Sequence, residues 1–203
     1  MTHRLHISSG NSKLGKTPNL NLPPCSQTVC AGMPCQGKCY AEHPYKQYPN
    51  VRIAWDDNYN YYTNNPKEFI NDFVQKMKRK KNKKYFRFHS AGEIIDQDHL
   101  NDIVYICEQL PETKFLIFTK KYYLDYSKKP KNLKVVFSAW PNLELPKHIL
   151  KENIAFMLDK KGIETRHIER NTFVCPGISK KTTCEKCRMC WNMKNKDVIF
   201  PEH

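Results

Sequence analysis

The chain has 203 residues, of which 39% are hydrophobic, and its formal net charge is +14. This length fits one domain, or one domain with a small metal-bound appendage. The first twelve residues lack the apolar core of a secretion signal, and no apolar segment is long enough to span a membrane. We therefore expect a cytoplasmic protein with no membrane partner and with reduced cysteines, rather than an extracellular disulfide scaffold.

Two helices are predicted after a polar, turn-rich start and a cysteine-rich loop. An Asn- and Tyr-rich loop, containing Tyr59, Tyr61 and Tyr62, precedes the first helix, which runs from Pro66 to Lys80 and carries one apolar stripe. The second helix runs from Asp98 to Leu110. Its apolar face includes Cys107, the one cysteine outside the two groups described below, which is most simply a core residue.

Short apolar runs predict buried strands of the parallel type. They lie at Tyr85–His89, Lys114–Thr119, Lys134–Ala139 and Asn153–Leu158, with a further strand within Thr165–Cys175. The opening order helix-strand-helix-strand predicts an α/β fold with a parallel sheet and right-handed crossovers.

Eight of the nine cysteines form two groups. The first group is Cys25, Cys30, Cys35 and Cys39, followed by Tyr40. The second group is Cys175, Cys184, Cys187 and Cys190, followed by Trp191. Four thiolates at such spacings suit a zinc ion or an iron–sulfur cluster, and spacing alone does not separate the two.

Polar residues follow two predicted strands at the end where α/β proteins bind ligands. Ser90, Gly92 and Glu93 come after the first strand, and Ser138 lies near the end of the third. A glycine allows close backbone approach to a ligand, and the Glu93 carboxylate is suited to an ammonium group. The alternative is an ordinary strand-to-helix turn, with Asp98 capping the next helix.

The order of cysteine loop, helix, strand and Gly-Glu turn resembles that of radical S-adenosylmethionine enzymes. In that family three cysteines hold a [4Fe–4S] cluster, whose open iron binds the methionyl part of S-adenosylmethionine. The resemblance implies that Ser90, Gly92, Glu93, Ser138 and Tyr40 contact this cofactor. The cysteine spacing differs from the family's usual one, and Tyr40 follows the last cysteine instead of preceding it.

A second resemblance covers most of the chain. Segments of this sequence are similar to the phage "gene product 88" family: Asn11–Lys16, Cys39–Ala41, Arg87–Gln97, Lys114–Lys121 and the cysteines before Trp191. The resemblance implies an incomplete β/α barrel over residues 1–165 and a cysteine-rich, cluster-binding extension over residues 166–203. Cys30, Cys35 and Cys39 match the family pattern best, and Cys25 is an extra cysteine that could close the first cluster.

Three functions are compatible with these features. The first is a radical S-adenosylmethionine enzyme with two [4Fe–4S] clusters, an unknown substrate and an electron donor such as flavodoxin or ferredoxin. The second is a non-catalytic iron–sulfur or zinc protein that binds nucleic acid through the basic run Lys76–Lys84 and stacking tyrosines. The third is an iron–sulfur nuclease in which Glu112 and Lys114, with Asp96 or Asp98, bind Mg²⁺.

The charge itself indicates an anionic partner. However, 27 of the 34 basic residues are lysines, and a composition rich in lysine and asparagine also arises from an AT-rich genome. The run Lys76–Lys84 predicts either a solvated helix end or a phosphate-contacting surface. By strand alternation Arg87 and His89 share one face, where they could both point into the barrel. Arg166 and Arg170 are further candidate anion contacts.

Overall fold

The computed structural model describes residues 4–24, 29–33, 35, 37–140, 144–158, 171–177 and 182–201. Cys25, Arg166 and Arg170 lie outside these residues, as does most of the segment in which the last strand is predicted.

Within these described residues, seven strands form one sheet in the order β1-β2-β3-β4-β5-β7-β6, and every neighbouring pair is parallel. The strands are β1 (Asn19–Leu20), β2 (Tyr85–Phe88), β3 (Lys114–Thr119), β4 (Leu133–Ala139), β5 (Ile154–Leu158), β6 (Thr172–Val174) and β7 (Asp197–Pro201). The parallel α/β fold predicted from the sequence is thus confirmed. The strands β6 and β7 lie beyond residue 165 and belong to the same sheet as the others.

The helices are α1 (Glu42–Gln47), α2 (Pro49–Asn64), α3 (Pro66–Arg79), α4 (Gln97–Gln109) and α5 (Cys184–Cys187), with 3₁₀ turns at Ile149–Lys151 and Met189–Asn192. Helices α1 to α3 connect β1 to β2, and α4 connects β2 to β3. Pro66 at the first position of α3 has a backbone preset for a helix start. The first turn of α4 is capped by Asp96, whose side chain accepts a hydrogen bond from the His99 amide. The cap is therefore Asp96 and not Asp98.

The segment around Tyr61 and Tyr62 is helical, and the predicted loop there is wrong. Both tyrosines lie in α2 and are buried, with edge-on ring contacts to Phe69 of α3 at 5.5 Å. Their hydroxyls donate hydrogen bonds to Asp72 and Asp102, respectively. Asparagine and tyrosine have modest helix propensity, so packing against α3 and α4 stabilises a helix that the residue types alone do not indicate.

The two faces of the sheet are buried against different parts of the chain. On the helix side, Phe86 and Phe88 of β2 and Phe115 and Ile117 of β3 join the main core with the apolar stripe of α3. The opposite side, here called the cysteine face, carries Tyr85, Arg87, Leu116, Phe118 and Val136, which alternate with those residues along the strands. Burial of both faces explains the nearly continuous apolar sequence of these strands.

The C-terminal cysteine segment covers the cysteine face. Trp191 is buried there in a second cluster with Leu116, Val136 and Met193. Its indole Nε1 donates a 2.9 Å hydrogen bond to the Phe86 carbonyl oxygen. The aromatic residue after the last cysteine thus anchors the segment to β2, and it does so with a satisfied polar atom.

Candidate functional site

The second cysteine group is gathered at the cysteine face. Cys175, which follows β6, packs with Cys184 and Cys190 beside Trp191. Cys184 and Cys187 stand at the two ends of the short helix α5. Burial raises the pKa of the Cys184 thiol, and it raises the pKa of Cys190 to about 12; the neighbouring cysteines of the group act in the same direction, whereas the Arg87 charge opposes them.

An N-terminal loop holds this group from the other end of the chain. The loop, residues 11–16, accepts backbone hydrogen bonds from Cys184 and Glu185 at the carbonyls of Lys13 and Leu14, at 2.9 and 3.1 Å. In return the Lys16 amide donates to Glu185 Oε2 at 2.8 Å. The Lys13 ammonium lies near Cys175, Cys184 and Cys190, and burial lowers its pKa. The sequence analysis missed this pairing of the two chain ends.

The loop has the shape that its turn residues dictate. The Asn11 side chain accepts from the amides of Lys13 and Leu14, which is an Asx turn. Gly15 has φ +66°, and a Cβ there would meet Glu185 and Thr183 at 2.7–2.9 Å. The Asn and Gly signals predict a turn, but only the structure shows that the turn is fitted against α5.

Arg87 lies beside the second cysteine group and near Tyr40, which follows Cys39 of the first group. Its guanidinium carbon stands 4.8 Å from the centre of the Phe118 ring. Its charge acts on Cys184 and Cys190 on one side and on Tyr40, next to Cys39, on the other. Among the described residues no carboxylate forms an ion pair with it, and its Nε is buried without a hydrogen-bond partner.

The first cysteine group is divided. Cys35 and Cys39 are neighbours, and the Lys120 ammonium, at the end of β3, hydrogen-bonds to Cys35. Burial raises the pKa of the Cys35 thiol, while Lys120 opposes that shift. Cys30 packs in the main core on the helix side.

The turn after β2 is tied to its own neighbours. Glu93 is only 4% exposed, and its carboxylate accepts backbone hydrogen bonds from Ile94 and Lys120. Glu93 is therefore a buried carboxylate that joins the turn to the end of β3, and not an exposed residue at the end of a strand. Burial raises the pKa of Glu93, with Lys120 opposing. Its role toward S-adenosylmethionine stays a prediction.

Of the other predicted cofactor contacts, Ser90, Gly92 and Tyr40 lie at this turn, whereas Ser138 lies two strands away on β4. Gly92 has φ +81°, and a Cβ there would meet Leu22 at 2.7 Å, so its close approach is to the segment after β1. The Tyr40 hydroxyl donates to the Ser90 carbonyl, while the Ser90 hydroxyl is buried without a partner in the described ranges. The Tyr40 side chain as a whole is 67% exposed. Ser138 lies on β4, and its carbonyl accepts from Tyr122.

The nuclease residues lie apart. Asp96 caps the start of α4, whereas Glu112 follows its end. A helix of 13 residues is about 20 Å long, so these carboxylates lie too far apart to share one Mg²⁺. Lys114 hydrogen-bonds to Asn192 Oδ1 at 2.8 Å.

The second cysteine group supplies the thiol donors that metal–thiolate centres use. Within the described residues, however, no three or more His, Cys, Asp or Glu side chains are already placed to hold a metal ion. Such segments commonly close around the metal as it binds. A metal–thiolate centre would also supply the anion that the buried Nε of Arg87 lacks.

The sequence model of the family described as "Gene product 88" matches residues 5–193. The chain belongs to the Gene product 88 family. The "Gene 88 protein" of Mycobacterium phage D29 is 23% identical over 235 residues, covering 98% of this chain and 93% of that protein. No solved structure matches. In the described part of the chain, no helix has the length and apolarity needed to cross a membrane.

The segments on which the Gene product 88 resemblance rested meet in space. The loop 11–16 contacts α5, and the turn after β2 contacts the residue after β3 through Glu93. Arg87 lies near Cys184 and near Tyr40. The motifs of this Gene product 88 protein are therefore scattered along the chain but contact one another in pairs across the fold.

His89 directly follows β2, as the turn with Ser90 and Glu93 begins, but its side chain lies on the helix side of the sheet. Its ring centre is 5.3 Å from that of His99, and it is buried with both ring nitrogens unpartnered among the described residues. Burial and the neighbouring His99 lower its pKa well below the ordinary value. Because φ of His89 is +49°, strand alternation ends before it, and the expectation that it shares a face with Arg87 is wrong.

Proposed function

We propose that the protein is an iron–sulfur protein with two cysteine-held centres, and that it is a radical S-adenosylmethionine-type enzyme acting on an unidentified substrate. The observation that carries the proposal is Arg87, a cation whose buried Nε has no acceptor in the described chain and whose charge acts on Cys184, on Cys190 and on Tyr40, the residue after Cys39. A buried N–H donor without an acceptor costs free energy. A cluster with four thiolates carries a charge of about −2, so it would accept a hydrogen bond from Arg87, and the Arg87 charge would in turn stabilise the cluster.

The C-terminal centre would be held by Cys175, Cys184, Cys187 and Cys190. Lys13 and Arg87 supply positive charge beside it. A zinc ion in a closed four-thiolate site is the alternative for this group, and the same cations would accompany it.

The N-terminal centre would be held by Cys30, Cys35 and Cys39, with Cys25 as an additional ligand or a dispensable one. Lys120 and Tyr40 adjoin Cys35 and Cys39. When bound, such a cluster supplies the electron that cleaves S-adenosylmethionine to a 5′-deoxyadenosyl radical, and the protein's part is to hold the cofactor and exclude side reactions.

The sheet supports the radical-enzyme form of the proposal. Strands β1 to β5 are adjacent in chain order and parallel, as in a β/α barrel, so we propose a partial barrel. The cysteine loop follows β1, and the turn with Ser90 and Glu93 follows β2, which puts both at the carboxyl ends of neighbouring strands. A flavodoxin or ferredoxin is the expected kind of electron donor.

Metal analysis tests the proposal. Protein purified without oxygen should contain about eight irons and eight sulfides per chain if both centres are [4Fe–4S]. Cys187→Ser should remove about half of the iron, because the centres are separate, and Cys107→Ser, which alters a buried core cysteine, should remove none. One zinc with little iron in each centre would contradict the proposal.

Spectroscopy separates the radical enzyme from a plain iron–sulfur protein. The electron paramagnetic resonance signal of the reduced N-terminal cluster should change when millimolar S-adenosylmethionine is added. Cys187→Ser should leave this response in place. A full iron content without any spectral response to S-adenosylmethionine would support the two clusters but contradict the proposal that the protein binds this cofactor.

A further inference from the structure

A cavity of about 510 Å³ lies at the β1 edge of the sheet, away from the cysteine face. Its walls come from the N-terminal segment 4–8, from β1, and from the helices α2 and α3. This volume is within the range of sites for small ligands or for one nucleotide unit of a longer chain.

The floor of the cavity is a closed amide network. Asn58 accepts from the His6 amide at 2.8 Å and donates to the carbonyls of His6 and Asn21 at 3.0 Å each. Asn21 in turn donates to Asn19 Oδ1 at 2.8 Å. These buried groups bind one another, so they fix the shape of the cavity and leave ligand contacts to its rim.

The rim is cationic. Arg4, Lys76 and Lys80 line the cavity. Beyond Lys80, the basic run continues away from the cavity through the exposed residues 81–84. In the part of the chain that the structure describes, no acidic side chain forms an ion pair with any of these residues or with the rest of the run Lys76–Lys84. Asp57, which is next to the lining residue Asn58 in the sequence, forms an ion pair with the lining residue His6 at 2.7 Å.

The cavity also has an aromatic wall. Trp55 lines it, and its indole stacks on the Tyr45 ring with 5.9 Å between the ring centres and an angle of 15° between the rings. A ring held in this way offers a stacking surface of fixed orientation. Aromatic rings beside a row of cations are the usual elements of single-strand binding.

We propose that this cavity and the basic run bind a single-stranded nucleic acid. One nucleotide occupies the cavity with its base against Trp55 and its phosphate near Arg4 and Lys80, and the following phosphates lie along the exposed lysines. The run is longer than a mononucleotide would need, which favours a strand over a free nucleotide. This proposal does not depend on the metal centres.

Fluorescence anisotropy with a labelled 12-nucleotide single strand tests the proposal on the full chain purified without oxygen. The double variant Arg4→Ala/Lys80→Ala should bind at least tenfold more weakly at low salt. The slope of log affinity against log salt should fall by about 0.7, because Arg4 and Lys80 share one phosphate and each phosphate contact in a single strand contributes about 0.7. Trp55→Leu should weaken binding about tenfold, and Trp55→Phe should restore most of it.

The matched control is Lys147→Ala/Lys151→Ala, which removes the same charge from exposed positions around the 3₁₀ turn before β5. It should leave both affinity and slope close to those of the parent. An equal loss in this control would show non-specific attraction and overturn the proposal. Equal affinity for a nucleoside monophosphate would make the cavity a small-molecule site, and tighter binding of a duplex would exclude the single-strand assignment; either result overturns it.

Discussion

Arg87 is the residue on which the proposed site depends. It is placed by the alternation of β2, which sends Phe86 and Phe88 to the helix side and Arg87 to the cysteine face. Its neighbours there are thiols, a tyrosine and the Phe118 ring, not carboxylates. A guanidinium is tolerated half-buried because it is weakly hydrated and stacks well, but its orphaned Nε still requires an acceptor.

We expect Arg87→Met to weaken metal retention at the C-terminal centre by about ten- to a hundredfold, which is the size of one charge-assisted hydrogen bond of about 1.5–3 kcal/mol. Arg87→Lys keeps the positive charge but loses the planar guanidinium donor, so its metal retention should lie between that of the parent and that of Arg87→Met. Competition with a chelator, followed by absorbance, measures the effect.

The control for this change is Arg52→Met, which removes the same charge from an exposed position on α2. It should not change the chelator midpoint. Unchanged retention in Arg87→Met would mean that the guanidinium serves packing against Phe118 and not the metal centre.

At the scale of elements, the loop 11–16 and helix α5 form one unit although they stand at opposite ends of the chain. Two backbone hydrogen bonds and the Lys16–Glu185 contact join them. A four-residue helix is too short to be stable by itself. The N-terminal loop therefore stabilises the cysteine segment, and the two should loosen together.

Gly15→Ala should destabilise this unit. The alanine would have to adopt φ +66° and would meet Glu185 and Thr183 at 2.7–2.9 Å. We expect a loss of about 1–3 kcal/mol in the free energy of unfolding and weaker metal retention at the C-terminal group. Gly32→Ala is the control, because Gly32 has φ +70° but open space around the new Cβ. It measures the cost of backbone strain without the collision that an alanine at position 15 would have with α5. Denaturant unfolding of both variants measures the difference, and equal losses would argue against the contact with α5.

The sequence predicted the strongly patterned elements and missed those defined by contacts. The run Lys114–Thr119 was predicted to be a strand and is β3 with the same bounds. A short, mainly apolar run between turns is typical of a buried strand and is too short for a stable helix. Helix α3 ends one residue before the predicted position. Helix α2 was missed because its buried face consists of Asn58, Tyr61 and Tyr62. These side chains carry polar groups, so the sequence shows no apolar periodicity of the helical kind there.

The candidate site was only partly predictable for a similar reason. Close spacing in the sequence brings Cys184, Cys187 and Cys190 together, and the resemblance indicated Arg87 as part of a motif. Lys13 and Lys120 reach the cysteines through the fold, from 171 residues before Cys184 and 85 residues after Cys35, respectively. No local pattern marks such residues.

At the scale of the whole molecule, two buried histidines connect stability to pH. His99 lies in α4 with its Nδ1 accepting the Ile95 amide, and its ring lies 4.3 Å from that of Tyr62. Burial lowers the pKa of His99 to about 3. The pKa of His89 is also lowered well below the ordinary value of 6.5 by burial and by the neighbouring His99.

Both histidines should make the fold sensitive to acid. Above pH 6.5 they are neutral in the folded and the unfolded chain, so they add no dependence on pH. As the pH falls below 6.5, the unfolded chain takes up protons that the folded chain cannot, and the unfolded state gains stability. The loss continues toward the folded pKa of His99, about 3. Each histidine contributes up to about 1.4 kcal/mol per pH unit across this window.

His99→Asn should remove one of the two contributions, because its Oδ1 can accept the Ile95 amide in place of Nδ1 while carrying no titratable proton. Between pH 6 and pH 5, the free energy of unfolding of the parent should fall more steeply than that of the variant, by up to about 1.4 kcal/mol. Urea unfolding at both pH values measures this difference. His43→Asn changes a histidine at α1, which has no buried residues, and should keep the parent's slope. If His99→Asn also keeps the parent's slope, His99 is protonated in the folded chain, and the carboxylates must account for the acid sensitivity.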